Sequence, residues 1–272
     1  MRAPHISIFP FNLFLYVGGV KRILLTNDDG LLSPGLTTLA HELLRTGRYE
    51  LRIVAPAKEQ SGVGHCVTLY TPLYAEPVVL PNALAAAPAF KVSGTPADCV
   101  KLSLTNLFPD FSPDLVLSGI NRGPNIGINT LYSGTVAGAL EACINGFPAL
   151  ALSLDVPRDG IWHFALAAEL SLPLIEAALA QGLPEWTALN VNIPNRPQAE
   201  LKGLRLVRPG KSGFKEYYIE EPPEGALRRF RLEGAMVYRD KDEDCDSVAL
   251  SDNWLAVSVL AFRCIMMRPG RR

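Results

Sequence analysis

Two kinds of apolar pattern alternate along the first two thirds of the chain. Short, continuous apolar runs of the kind that form buried strands lie at residues 23–25 and 115–117. Leucine and alanine recur with helical spacing from about residue 34 to residue 46, and Gly47 follows as a usual stop signal. Because apolar strands joined by helices are typical of a parallel sheet covered on both faces, the pattern predicts an α/β fold with a mostly parallel sheet.

This alternation continues to about residue 194 and then changes. Before that point the predicted strands are residues 22–26, 50–55, 90–93, 114–117, 148–152 and 189–192, and the predicted helices are residues 34–46, 133–146, 161–181 and a segment opening at 95–98. After it, β-like pieces alternate with turns rich in proline, glycine and charge, at residues 204–207, 217–220, 230–232, 235–238 and 254–260. We expect an α/β catalytic core over residues 20–194 and an appended β-hairpin and C-terminal region over residues 195–272.

Residues 1–19 form a separate segment in this scheme. They contain most of an apolar run that a proline and an asparagine interrupt, and a transmembrane helix needs about 20 apolar residues. Because the first strand follows at once, we expect Val20 to correspond to the true start and residues 1–19 to be a mis-assigned or disordered extension. A signal peptide cleaved near residue 19 is the alternative.

Composition limits the class of protein. The chain of 272 residues is 48% hydrophobic and 19% charged, which is ordinary for a globular protein with a substantial core. With 26 basic and 27 acidic residues, it has no positive field for a nucleic acid polymer. The five cysteines are far apart and lack a C-x-x-C pair, which argues against a zinc site and a secreted disulfide framework. We therefore expect a cytoplasmic protein without a nucleic acid or membrane partner.

Two adjacent carboxylates, Asp28 and Asp29, follow the first predicted strand. In open α/β sheets ligands bind beyond the carboxyl ends of the strands, so a site is expected at this turn. The two negative charges repel each other, and a divalent cation would neutralise them, since hard cations prefer carboxylate oxygens. The alternative is an Asx-type turn that caps the next helix, because Asn, Asp and Gly are also ordinary turn residues.

Polar groups follow the predicted strands in three further loops. These are residues 59–62, residues 118–121, and a stretch from Asn125 to residues 133–135, and in a parallel sheet they meet at the edge where the two carboxylates lie. The loops offer oxygen ligands without paired histidine or cysteine. Such a ligand set suits Mg²⁺, Mn²⁺ or Ca²⁺ rather than zinc.

The segment Ser133-Gly134-Thr135 has the composition of a phosphate-binding helix start. Unpaired backbone N–H groups and the positive end of the helix dipole would face an anion there, and Gly134 permits close approach. Plain N-capping by Ser133 is the alternative. The preceding loop of about twelve residues, rich in glycine and asparagine, is long for a buried connection and favours a functional role.

Several common catalytic patterns are absent from the sequence. It contains no G-x-x-x-x-G-K-[ST] phosphate loop, no G-x-S-x-G nucleophile elbow and no G-x-G-x-x-G dinucleotide pattern. After the first strand, Gly30 stands where the D-x-D of aspartyl-phosphate phosphatases has its second aspartate. These absences disfavour the corresponding chemistries.

Four segments of the chain together resemble the SurE family of stationary-phase survival proteins, which are metal-dependent 5′/3′-nucleotidases. They are residues 23–30 (ILLTNDDG), Ala55-Pro56 with Gln60-Ser61-Gly62, residues 94–100 (GTPADCV), and residues 113–125 (PDLVLSGINRGPN) with residues 132–137 (YSGTVA). The resemblance implies a Rossmann-like three-layer fold, with a β-hairpin and a C-terminal extension exchanged between the subunits of a homodimer or homotetramer. Asp246 matches a late aspartate of the family pattern, whereas residues 253–260 depart from its final strand.

The resemblance also implies roles for individual residues. One divalent cation per subunit, Mg²⁺ or Mn²⁺ with Ca²⁺ as the alternative, would be bound by Asp28, Asp29, Ser61 and Asn121. The phosphate would be bound by Asn125, Ser133, Gly134 and Thr135. The implied reaction is hydrolysis of a small-molecule nucleoside monophosphate to a nucleoside and phosphate, with Asp28 and Asp29 as the catalytic residues.

Two other functions fit the same residues. A nucleotide- or phosphate-binding sensor would use the same cradle without turnover, and a phosphatase for another phosphorylated metabolite would differ in the walls of its pocket. His65, four residues after Ser61, is a candidate to protonate the leaving group. Its alternative role is that of a hydrogen-bonded loop histidine.

Overall fold

A computed structural model describes residues 5–6 and 19–261 of the chain. Its strands are β1 (His5–Ile6), β2 (Lys21–Thr26), β3 (Tyr49–Pro56), β4 (Ala75–Val78), β5 (Ala89–Val92), β6 (Leu115–Arg122), β7 (Ala149–Leu154), β8 (Thr187–Ile193), β9 (Gly203–Val207), β10 (Gly213–Glu224), β11 (Leu227–Val237) and β12 (Trp254–Ala261). Its α-helices are α1 (Pro34–Arg45), α2 (Pro96–Leu102), α3 (Gly134–Ile144), α4 (Phe164–Gln181) and α5 (Asp246–Ser251). Apart from β1 and residue 19, the predicted extension over residues 1–19 lies outside the described residues.

Ten of the strands form one sheet in the order β1-β9-β12-β8-β7-β6-β2-β3-β5-β4. Strands β8, β7, β6, β2, β3 and β5 run parallel to one another. On the two sides of this parallel part, β4 pairs antiparallel with β5, and β12 pairs antiparallel with β8. The predicted α/β class with a mostly parallel sheet is confirmed. Because parallel strands end at the same edge, the loops after β2, β3, β6, β7 and β8 meet at one edge of the sheet.

The sheet is the middle layer of three. Alternate residues of β2 face opposite layers, with Ile23 and Leu25 in the core that includes α1 and α4, and Leu24 in the core that includes α2 and α3. By length and composition alone, α4 could cross a membrane. It packs against α1, however, and its Ala168 and Ile175 are fully buried in the first of these cores. It is therefore a core helix of the three-layer fold.

Strand β6 is longer than the sequence indicated. A loop was expected over residues 118–121, but the strand continues through Arg122, and its register against β7 shifts just after Ser118. Gly119 makes this possible, because it has φ of +134° and a Cβ there would lie 2.2 Å from the carbonyl oxygen of Leu152. As a consequence, residues 118–121 lie within β6 and not in a loop, and the stretch from Asn125 to the start of α3 follows that strand.

The region after Pro194 also differs in detail from its prediction. The short pieces expected between residues 217 and 238 belong to two long antiparallel strands, β10 and β11, which form a separate two-stranded sheet. The predicted β-hairpin is thereby confirmed. Strands β9 and β12 instead join the main sheet. Helix α5 was not expected, because its six residues are too few for a helical period to be recognised.

Candidate active site

The turn after β2 places two adjacent carboxylates at the carboxyl edge of the sheet. Asn27 fixes this turn, since its side-chain Nδ2 donates to the carbonyl oxygen of Gly30 at 3.0 Å and to Oγ of Ser33 at 2.6 Å. Gly30 has φ of +96°, which a residue with a side chain rarely adopts. The chain has therefore left the extended conformation by Gly30. Consecutive side chains of a strand point to opposite faces of the sheet, and in this turn Asp28 and Asp29 are released from that constraint.

Asp28 lies against the start of α3. The residue is 4% exposed, and the hydroxyl of Thr135 donates to its Oδ1. A Cβ placed on Gly134 would lie 2.8 Å from Cβ of Asp28 and 3.0 Å from its Oδ2. Burial raises the pKa of Asp28, and the hydrogen bonds from the hydroxyl and backbone N–H of Thr135 oppose that rise. The missing side chain at residue 134 is what allows the carboxylate to approach the helix.

Asp29 is half-buried and contacts the end of β6. The backbone N–H of Arg122 donates to its Oδ2 at 3.0 Å. Burial, followed by the negative charge of Asp28, raises the pKa of Asp29 to about 6. A bound divalent cation would favour the charged form of both carboxylates, because an opposite charge nearby offsets desolvation.

The loop over residues 57–66 passes beside this pair. The backbone N–H of Gln60 donates to the carbonyl oxygen of Asp28 at 2.8 Å, which fastens the loop to the turn. The next residue, Ser61, is exposed, and its hydroxyl donates to Oε1 of Glu59 at 2.7 Å. The charge of Glu59 is one of the causes that raise the pKa of both aspartates. Sequence reasoning assigned no role to this third carboxylate.

Asn121 lies at the end of β6, directly before the residue that contacts Asp29. Its side-chain Nδ2 donates to the carbonyl oxygen of Gly123 at 2.8 Å, which fixes the amide. Oδ1 receives no hydrogen bond from the described residues and is free to act as a ligand. The turn after β2, the loop over residues 57–66 and the end of β6, which carry the four expected cation ligands, therefore come together, and each expected ligand atom is an oxygen.

The start of α3 combines helix capping with contacts to the carboxylates. Ser133 is the N-cap, since its Oγ accepts from the backbone N–H of Val136 at 3.1 Å, as the capping alternative predicted. Thr135 serves Asp28 through both its hydroxyl and its backbone N–H. A contact of Ser133, Gly134 or Thr135 with phosphate stays a prediction.

Asn125 is buried and fastened by side chains from neighbouring strands. Its backbone N–H donates to Oδ1 of Asn192 at 2.7 Å, and its carbonyl oxygen accepts from Nδ2 of Asn190 at 2.8 Å. Its own Nδ2 donates to Oγ of Ser153 at 2.8 Å, which leaves the second N–H of the amide for another acceptor. Sequence reasoning missed these supports. The signal was present in β8, because two asparagines at alternate positions of a buried strand need polar partners.

Asp246 connects the C-terminal region to the loop before α3. It is 1% exposed and accepts from the backbone N–H of Gly127 at 2.8 Å and of Gly210 at 2.9 Å. The segment that follows Asn125 is thereby tied to a residue more than a hundred positions later in the chain. Asp246 is a support of the site and not a member of it.

His65 pairs with a carboxylate of α3. Its Nε2 lies 2.9 Å from Oε2 of Glu141, and Nζ of Lys101 donates to the other oxygen of that carboxylate at 2.5 Å. The hydrogen bond from His65 is the leading cause that lowers the pKa of Glu141 to about 2. Glu141 lies about 10 Å along α3 from the helix start. These contacts favour the structural role of His65 over leaving-group protonation.

Another group of acidic side chains, Asp242 and Asp244 beside Cys245, has its ligand atoms close enough for a metal. Both aspartates already pair with Arg208, at 2.9 Å and 3.0 Å. The guanidinium therefore supplies the compensating charge there.

Known proteins are similar to this chain over most of its length. A model of the family described as Survival protein SurE matches residues 23–216, which include all of the expected site residues. The 5′-nucleotidase SurE of Carboxydothermus hydrogenoformans is 41% identical over 241 residues, covering 89% of this chain and 90% of that protein. The 5′-nucleotidase SurE of Moorella thermoacetica is 42% identical over 238 residues, covering 88% and 89%. The crystal structure of the SurE protein from Aquifex aeolicus superposes with a TM-score of 0.73 at 35% identity, covering 89% and 94%.

Proposed function

The chain belongs to the SurE family, and from this premise we propose that it is a 5′-nucleotidase, a phosphoric monoester hydrolase that converts nucleoside monophosphates to nucleoside and phosphate. The observation that carries the proposal is the contact between Asp28 and the start of α3. There, a carboxylate suited to a cation touches a helix start suited to an anion. A site that binds a cation and a phosphate side by side requires these two features to be adjacent.

We propose that the enzyme uses one divalent cation per subunit, Mg²⁺ or Mn²⁺. Asp28, Asp29, Ser61 and Asn121 would hold it. The residues fit such a group, because the donors are all oxygens, Asp28 is buried, and burial raises the pKa of both aspartates, an effect that a bound cation would offset. When bound, a cation of this kind polarises a phosphoryl oxygen and lowers the pKa of a bound water.

The protein groups around the pair would bind and orient the substrate. The backbone N–H of Gly134 and the positive end of α3 would bind the phosphate, with the hydroxyl of Ser133 and the remaining N–H of Asn125 as further donors. Thr135, which also holds Asp28, would complete the set of phosphate-binding residues. Asp28 or Asp29 would accept a proton from the attacking water.

We extend the proposal to a homodimer or homotetramer in the cytoplasm, with residues 195–272 as its oligomerisation region. In the hairpin of β10 and β11, Tyr218 lies opposite Leu232, and Phe230 is two residues from Leu232 on the same face. These three side chains are 69%, 47% and 51% exposed in the order named. An exposed apolar face of this kind favours contact with a second copy.

The function is tested by phosphate release from a substrate panel. The panel contains nucleoside monophosphates, glycerol phosphate and a sugar phosphate, each with Mg²⁺, Mn²⁺, Ca²⁺ or a chelator. We expect cation-dependent release that is fastest from nucleoside monophosphates. Release from the other esters alone would indicate a phosphatase for another metabolite, and tight nucleotide binding without release would indicate a sensor. Either result contradicts the proposal.

A further inference from the structure

Arg122 is a cationic residue beside the candidate site, and it belongs neither to the expected cation ligands nor to the expected phosphate-binding residues. It ends β6 directly after Asn121, and its backbone N–H donates to Oδ2 of Asp29 at 3.0 Å. The residue is exposed, and the guanidinium carbon lies 5.0 Å from the centroid of the Trp162 ring. Its positive charge acts on Asp29, whose pKa it lowers against the effects of burial. Arg122 therefore places a positive charge at the rim of the carboxylate pair.

Trp162 is a fixed platform for this guanidinium. Its ring stacks on Phe164 with centroids 5.6 Å apart and an interplanar angle of 11°. The backbone N–H of the next residue, His163, donates to Oδ1 of Asn195 at 3.1 Å, which ties the segment to the end of β8. Trp162 also packs against the main core. An arginine held against such a face loses less conformational freedom when it binds a ligand.

The two carboxylates, Asp28 and Asp29, contact different parts of the chain. Asp28 contacts the start of α3 through Thr135, whereas Asp29 contacts the backbone of Arg122. The helix start and Arg122 thus flank the pair. A phosphate bound in front of the carboxylates would have the helix start on one side and the end of β6, which carries Arg122, on the other.

The charge balance of the proposed reaction also calls for another cation. Two ionised aspartates and a phosphate monoester dianion together carry twice the negative charge that one divalent cation neutralises. A guanidinium reduces this excess, and its planar fork of N–H donors matches the oxygens of a phosphate.

We propose that Arg122, oriented by Trp162, is a substrate-binding residue whose guanidinium donates hydrogen bonds to the phosphoryl oxygens of the substrate. The inference rests on the proposed phosphatase function and adds a residue to it. In this proposal Trp162 is a positioning residue, because it contacts Arg122 and not the phosphate.

The test uses inorganic phosphate as the probe, because it is the product common to every substrate. Its dissociation constant is measured by calorimetry with Mn²⁺ present, alongside KM and kcat for a nucleoside monophosphate. For Arg122→Met we expect about a ten-fold rise in the dissociation constant and in KM, since a charge-assisted contact is lost. Arg122→Lys should be intermediate, because it keeps the charge and loses the fork. Trp162→Leu should weaken phosphate binding by a few fold, and Trp162→Phe by less.

The matched control is Arg22→Met. Arg22 is also an exposed arginine near an aromatic ring, 6.0 Å from the centroid of Phe111, but it lies at the amino end of β2, away from the site. This variant should bind phosphate as the wild type does. Thermal unfolding of every variant separates lost contacts from lost folding, and if Arg122→Met fails to fold, the Arg122→Lys and Trp162→Leu results decide.

Unchanged phosphate binding in folded Arg122 variants would overturn the inference. If adenosine also inhibited those variants less strongly than the wild type, the guanidinium would lie against the nucleobase instead. If the proposed function itself is wrong, the wild type releases no phosphate from any nucleotide. The phosphate-binding measurement still tests the role of Arg122 in that case.

Discussion

The fit between Gly134 and Asp28 gives a sharp prediction for Gly134→Ala. The added Cβ would lie 2.8 Å from Cβ of Asp28, whereas ordinary contacts begin near 3.4 Å, so the two groups must separate by about 0.6 Å. Residue 134 is the first residue of α3, where alanine suits the backbone, so the effect falls on the position of Asp28. Displacements approaching 1 Å at a reacting centre cost on the order of 100-fold in rate.

We therefore expect Gly134→Ala to lower kcat/KM for a nucleoside monophosphate by roughly 10- to 100-fold and to weaken Mn²⁺ binding. Stability should fall by about 1–3 kcal/mol, as for other overpacked positions. Phosphate release, calorimetry with Mn²⁺ and thermal unfolding measure these quantities.

Gly138→Ala is the matched control for this variant. It lies one turn further along α3, and its Cβ would meet Oγ of Ser118 at 2.9 Å and Cγ2 of Thr26 at 3.1 Å, but not a carboxylate. It should cost similar stability and leave Mn²⁺ affinity nearly unchanged. If Gly134→Ala kept full activity and affinity, or if the two variants lost both equally, the steric argument would be refuted.

Three further predictions concern the supports of the site. Asp246→Ala leaves the buried N–H of Gly127 and the partly buried N–H of Gly210 without an acceptor, so chemical denaturation should show a loss of about 2–4 kcal/mol. The folded state lowers the pKa of Glu141 from 4.5 to about 2, so its ionised form stabilises the fold above pH 4.5 and that contribution is lost as the pH falls toward 2. The difference in free energy of unfolding between wild type and Glu141→Gln should therefore become smaller as the pH falls from 4.5 toward 2. Leu232→Asp places a charge on the apolar face of the hairpin and should shift the assembly to monomer in light scattering after size-exclusion chromatography.

Each of these variants has a control elsewhere in the chain. Asp252→Ala, at an exposed aspartate, should leave stability nearly unchanged, and an equal loss in both variants would contradict the role of Asp246. Glu200→Gln, also exposed, should show no narrowing with pH. Lys215→Asp changes an exposed residue on the opposite face of the hairpin, and loss of assembly there too would contradict a specific apolar contact.

Local sequence patterns predicted most of the fold. The run over residues 23–25 is apolar on every residue because both faces of β2 are covered, so it indicates a parallel strand without any tertiary information. The turn at Gly30 and the cap at Ser133 are likewise properties of a few neighbouring residues. Those positions were predictable for that reason.

Features that depend on distant partners were not predictable in the same way. The extension of β6 through Gly119 requires the neighbouring strand at Leu152, since only that carbonyl makes a side chain impossible. Arg122 and Trp162 are forty positions apart, and nothing in the sequence indicates that they stack. Ser61 could be placed in a loop by pattern, whereas the attachment of that loop to the turn at Asp28 depends on the hydrogen bond of the preceding residue, Gln60.

The measurement that tests the central claim most directly compares Asp28→Asn with wild type and with Asp252→Asn. Asparagine keeps an acceptor for the hydroxyl of Thr135, so the variant should fold while losing the negative charge. The account predicts that Asp28→Asn loses at least about 100-fold in cation-dependent phosphate release from a nucleoside monophosphate, and loses Mn²⁺ binding, while Asp252→Asn matches the wild type. Full activity and full Mn²⁺ affinity in folded Asp28→Asn would contradict it.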